Sequence, residues 1–163
     1  MSSIYPAAVR VGYDPAIILK ELREMVVAKG GTNGLTNGIV EGVENCSIVP
    51  NTVNEMLCMG HQGVLRVFPV WPKNQDARFR NLRAWGAFLV SSELKGGQVQ
   101  QVTIRSEQGR DCTIVNPWPG KAVDVYRDGT KIATLHGERV TLKTDAGATV
   151  VLGPEGAGCK IAN

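Results

Sequence analysis

Histidine is scarce: the chain has two, His61 and His136, and its four cysteines (Cys46, Cys58, Cys112 and Cys159) are widely spaced with no Cys-x-x-Cys pair. Metal centres need several nitrogen or sulfur ligands at short spacings, so no metal and no cofactor is expected. The cysteines read as free buried thiols rather than as a disulfide framework, which leaves the redox compartment open. Clustered charge is also missing. The 18 Lys and Arg residues against 15 Asp and Glu give a net charge of +3, and the basic side chains are scattered. Nucleic-acid binding calls for a basic stripe interleaved with stacking aromatics, so no nucleic-acid partner is expected. No apolar run approaches the ~18 residues of a membrane-crossing helix, and no membrane partner is expected either. The opening Met1-Ser2-Ser3-Ile4-Tyr5-Pro6 has neither the basic nor the apolar region of a signal peptide.

What remains suits an ordinary core. Hydrophobic residues are 43% and charged residues 20% of 163, enough for one domain or one domain with an appendage. The first periodic segment is helical. Asp14 offers a carboxylate to cap it, Pro15 fits the first helical position, and Ile18, Leu22, Met25 and Val26 form an apolar face. Lys29-Gly30-Gly31 is the expected stop, followed by a loop from Gly30 to Gly42. A second helix is expected over about Asn51 to Met59, where Thr52-Val53-Asn54-Glu55 fits a capping box and Val53, Met56 and Leu57 supply the apolar face. Two such helices bury too little to stand alone and need a partner surface.

From Leu65 onward the period becomes two. Arg66 to Pro72 reads as a strand, Phe88, Val90, Ser92 and Leu94 share a face, and Lys95-Gly96-Gly97 turns the chain into a strand bearing Val102 and Ile104. Cys112 to Val115 is a further strand, stopped by Asn116-Pro117-Trp118-Pro119-Gly120. Asp128-Gly129 is a type I′ hairpin signal between Val123/Val125 and Ile132/Leu135. Val140 and Leu142, the turn Asp145-Ala146-Gly147, and Val150 to Leu152 read as one more hairpin, and the end from Gly156 reads as frayed. Roughly eight short strands with regular turns predict a mainly β fold, an antiparallel β-sandwich preceded by two short helices. The expected division is a helical segment at 1–63, the sandwich at 64–155 and a tail at 156–163.

Three segments carry a resemblance: Ile4-Tyr5-Pro6 with a helix opening Asp14-Pro15; Glu55-Met56-Leu57-Cys58-Met59-Gly60-His61-Gln62-Gly63; and Leu65 to Pro72 followed by Leu82-Arg83-Ala84-Trp85-Gly86-Ala87-Phe88. In order and spacing they resemble the carboxy-terminal part of the glycoside hydrolase family 95 enzymes, the inverting α-L-fucosidases and their α-galactosidase relatives. The resemblance implies the last helices of an (α/α) barrel running into an accessory β-sandwich. In the family a general-base aspartate, within Asp-Gly-Asn, precedes the Glu-Met-Leu motif; the matching position here is Glu44, followed by Asn45 and Cys46. The resemblance therefore implies Glu44 as a candidate general base, with Asn45 or Asn51 orienting the water. A solvated loop glutamate is the alternative.

Inverting hydrolysis needs a second carboxyl group roughly 6.5–9.5 Å away to protonate the leaving oxygen. No evident acid partner is present, since Glu41 lies on a Gly-rich loop without a family counterpart, so the chain alone is expected to be silent. Glu55 reads as a helix cap and His61 as a helix-end residue bonded to backbone. Among the tryptophans, Trp71 and Trp85 read as packing residues. Trp118, on a Pro-flanked turn, is the candidate sugar-stacking platform, with packing as its alternative. The expected partner is the parent enzyme's catalytic barrel or another copy of the chain, with glycans as further candidates. Two other readings stay open: a non-catalytic carbohydrate-binding module, and a structural homo-oligomerising domain. An exported location, periplasmic or secreted, follows from the resemblance alone.

Overall fold

The computed structural model describes residues 4–29 and 47–158. The expected helix stop at Gly30-Gly31, the loop to Gly42, the thiols of Cys46 and Cys159 and the last part of the tail lie outside the described residues. The chain divides into two compact units, Met1–Leu57 with Pro69–Pro72, and Cys58–Phe68 with Lys73–Asn163.

The helical unit holds three helices among the described residues, one more than expected. The addition is α1 (Ile4–Arg10). Its periodicity is too short to read, but its end is well specified: Gly12, at φ 74°, donates to Val9 O (3.0 Å) while Tyr13 N–H reaches Ala8 O (2.9 Å), a glycine-closed Schellman stop. Helix α2 (Pro15–Lys29) begins as the sequence implies, with Asp14 Oδ1 accepting the N–H groups of Ala16 (2.7 Å) and Ile17 (3.3 Å). Ile18 and Leu22, one turn apart, are buried, whereas Val26 is exposed.

Helix α3 covers Ile48–Leu57, starting three residues before the expected Asn51. Pro50 falls in the first turn, where no intrahelical N–H bond is lost. This shift overturns the capping box. Thr52 is interior and buried, its hydroxyl donating to Ile48 O (2.6 Å). Glu55 instead pairs with Arg10 of α1, accepting from its Nε (2.8 Å) and from Nη2. The carboxylate raises the Arg10 pKa, by hydrogen bond first and by charge second.

The second unit is the β-sandwich. One sheet has four strands in the order β1 (Cys58–Met59), β2 (Val64–Val67), β6 (Cys112–Val115), β9 (Arg139–Leu142). The other has six, in the order β3 (Ala77–Ala84), β4 (Phe88–Lys95), β5 (Gln98–Ser106), β10 (Thr149–Pro154), β7 (Val123–Arg127), β8 (Thr130–Leu135). All pairings are antiparallel except β2 with β6. Strand β2 ends at Val67, short of the expected Pro72, because Pro69 and Pro72 cannot donate to a ladder. The side chains of Phe88, Val90, Ser92 and Leu94 are all buried, as their alternation implies, and Val102, Ile104, Ile114 and Leu152 complete the core. Gly96-Gly97 and Asp128-Gly129 all take positive φ and close two-residue hairpins.

The expected β9–β10 hairpin is not formed. The two strands belong to different sheets, so Asp145-Ala146-Gly147 is a crossing between sheets rather than a hairpin turn. Buried hydroxyls fix that crossing: Ser106 and Thr144 oxygens lie 2.7 Å apart, Thr144 donates to Arg110 O (2.6 Å), and Gly109 N–H donates to Ser106 Oγ (3.0 Å). The start of the tail is tied down too, since Gly156 N–H donates to Asp124 (3.1 Å). Cys112 is buried in β6 and Cys58 half-buried in β1; both are free thiols, and burial pushes both up to about 12.

Candidate functional site

Of the four candidate site residues, Glu44 and Asn45 lie outside the described residues. Asn51 is exposed on α3, and its amide N–H donates to Ser47 O (2.9 Å). Trp118 is placed differently from expectation. Its ring is 5% exposed, with the indole N–H donating to Val99 O (2.7 Å). The flanking prolines do bend the chain, but the turn folds inward: Asn116 Oδ1 accepts Trp118 N–H (2.9 Å) and its amide group donates to Lys121 O (2.8 Å) and Gly137 O (3.1 Å). A ring so enclosed matches packing, the alternative reading of this position.

Trp85 reverses its expectation as well. At 74% exposure it is the most open aromatic among the described residues, on the turn between β3 and β4. Trp71 is half-buried in the Pro69–Pro72 segment, between buried Val70 and Pro72. His61 is exposed at the start of a short 3-10 turn, His61–Gly63; it is its carbonyl that bonds, accepting the Val64 N–H and the Arg66 guanidinium (3.3 Å).

Two features escaped the sequence reading. The first is Asp124, 1% exposed on β7 and held by Lys131 Nζ (2.7 Å), Thr134 Oγ1 (2.7 Å) and Gly156 N–H. The Lys131 hydrogen bond, followed by that of Thr134, lowers its pKa to about 2 against the opposing effect of burial. The signal was a charged residue inside an apolar run, Val123-Asp124-Val125. The second is an open cleft of ≈ 620 Å³ lined by residues 115–116 and 119–122 and by His136, Gly137 and Glu138. The Asn116 amide bonds to both walls, so the cleft is preformed. Among the described residues, Glu138 is the single carboxylate lining it. The described lining thus supplies one carboxylate, where inverting hydrolysis uses an acid and a base. Among the described residues no group of three His, Cys, Asp or Glu side chains is gathered to hold a metal.

The fold defines the class: a mainly β, sandwich-type domain with short helices before it. The model of glycoside hydrolase family 95, C-terminal domain, matches residues 60–152, more than half of the chain, and the chain belongs to that family. The match runs from Gly60, just before β2, to Leu152 in β10 and leaves α1 to α3 outside. Membership of a C-terminal domain family implies association with a catalytic domain. No curated protein matches the chain.

Proposed function

We propose that this chain is the C-terminal accessory β-sandwich, with the last barrel helices, of an α-glycoside hydrolase of the fucosidase and galactosidase kind. It braces the catalytic domain and is inactive alone. The family match over residues 60–152 carries the reading. On it, residues 1–63 end the barrel, 64–155 form the brace and 156–163 are a tail. The helical unit supports it: Ile4, Val11, Tyr13, Val26 and Val27 are all exposed, with Val11 at 81% and Val27 at 80%. Helices carrying that much apolar surface are suited to pack against further helices.

Glu44 as general base, with Asn45 or Asn51 orienting water, belongs to the same proposal and rests on the resemblance. The test mixes this chain with the catalytic barrel of a family 95 enzyme produced without its own C-terminal domain. Association, with gain of barrel stability and no turnover of aryl α-L-fucoside or α-galactoside by the chain alone, is the expected result. Turnover by the chain alone, abolished by Glu44→Gln, overturns the inactive reading.

A further inference from the structure

We propose that Trp85 and the adjoining His61-Gln62 turn form a saccharide-binding patch on the sandwich. The indole supplies the stacking face and the turn supplies hydrogen-bonding groups.

The mount is rigid at two points. A Cβ on Gly60 would lie 2.9 Å from the Trp85 amide nitrogen and 3.4 Å from its Cβ, so glycine at 60 lets the two backbones close on each other. At the next position Gly86 takes φ 93°, and a Cβ there would lie 2.5 Å from the buried Phe88 ring. The turn is thus wedged against the sandwich while its indole stands 74% exposed. His61 and Gln62 follow Gly60 directly, and both are exposed. Gln62 holds φ 58°, which fixes the direction of the short turn.

The surroundings decide the class of ligand. A protein-docking surface has an apolar core of several large side chains, with roughly 800 Å² buried per partner. In the sandwich unit the exposed large hydrophobics among the described residues are Trp85 and Ile132. Ile132 lies on β8, at the opposite edge of the six-stranded sheet from β3, which leads into Trp85. One aromatic ring set among polar side chains matches a pyranose instead, which has one apolar C–H face and a rim of hydroxyls. Arg83, two residues before the indole, is paired with Glu107, so its charge is compensated there.

The choice of sugar probes rests on the glycosidase reading above; the geometry does not. The experiment titrates the intact chain with methyl α-L-fucoside, methyl α-D-galactoside and methyl β-D-glucoside, following the three indole N–H signals by NMR, with Trp85 identified by its loss in Trp85→Phe. Binding of at least one probe is expected to shift the Trp85 signal and not that of Trp118. Trp85→Ala should weaken that binding by roughly tenfold or more, and His61→Ala or Gln62→Ala by a smaller factor, while Trp85→Phe retains part of it. The proposal is overturned if no probe moves the Trp85 signal up to its solubility limit, or if binding survives Trp85→Ala unchanged. It is overturned equally if only the separately produced barrel moves that signal, which would make Trp85 a docking residue. Saccharide failure with barrel association intact removes this patch alone and leaves the accessory reading standing.

Discussion

Asp124 and Gly60 carry the clearest consequences of single side chains. The Asp124 carboxyl, ordinarily near 3.8, is held at about 2, so its contribution to stability is fully present above the ordinary value. It is lost as the pH falls from there through about 2. Urea unfolding followed between neutral and strongly acid pH should show this decline, and Asp124→Asn should flatten it while costing about 1–3 kcal/mol at pH 7, since the charge that Lys131, Thr134 and Gly156 bond to is gone. Gly60→Ala should cost a similar ~1–3 kcal/mol by overpacking against Trp85, read as a lower denaturation midpoint, although φ at 60 is an ordinary −111°. At this scale the sequence was legible where chemistry is local. Asp14 caps its helix as the spacing implies, and Asp128-Gly129 makes the expected turn. It misled where the answer depends on residues far along the chain. Trp118 is enclosed through bonds to Val99, and Glu55 is claimed by Arg10, 45 positions away.

For the helices and strands, periodicity gave burial but not partners. The alternation from Phe88 to Leu94 marks the buried face correctly. The same alternation in β9 and β10 could not say that the two lie in different sheets, because a period of two is identical for a hairpin and for a crossing. The crossing rests on hydroxyls instead, so Thr144→Val, similar in shape, should destabilise by about 1–3 kcal/mol by removing the Thr144 hydroxyl from Arg110 O and Ser106 Oγ. Amide exchange at Ser106 and Gly147, whose backbones bond across the same corner, is the local readout. Asp14→Ala should cost about 1 kcal/mol and speed exchange at Ala16 and Ile17, with the sandwich amides unchanged.

For the molecule as a whole, the mainly β class and the family were readable, because each depends on the order of motifs rather than on any one residue. Replacing Val26 and Val27 by serine should change unfolding stability by less than about 0.5 kcal/mol, as both are exposed. The same change should weaken capture by the barrel in a pull-down. The two thiols set in neighbouring parts of the four-stranded sheet offer a last consequence. Held at about 12, they are almost wholly protonated at neutral pH, and a protonated thiol is a poor nucleophile. In a chain with the other three cysteines changed to serine, alkylation of the fully buried Cys112 should therefore wait for the sheet to open. The sandwich carries its own clock: the rate at which an alkylating reagent is consumed counts how often it comes apart.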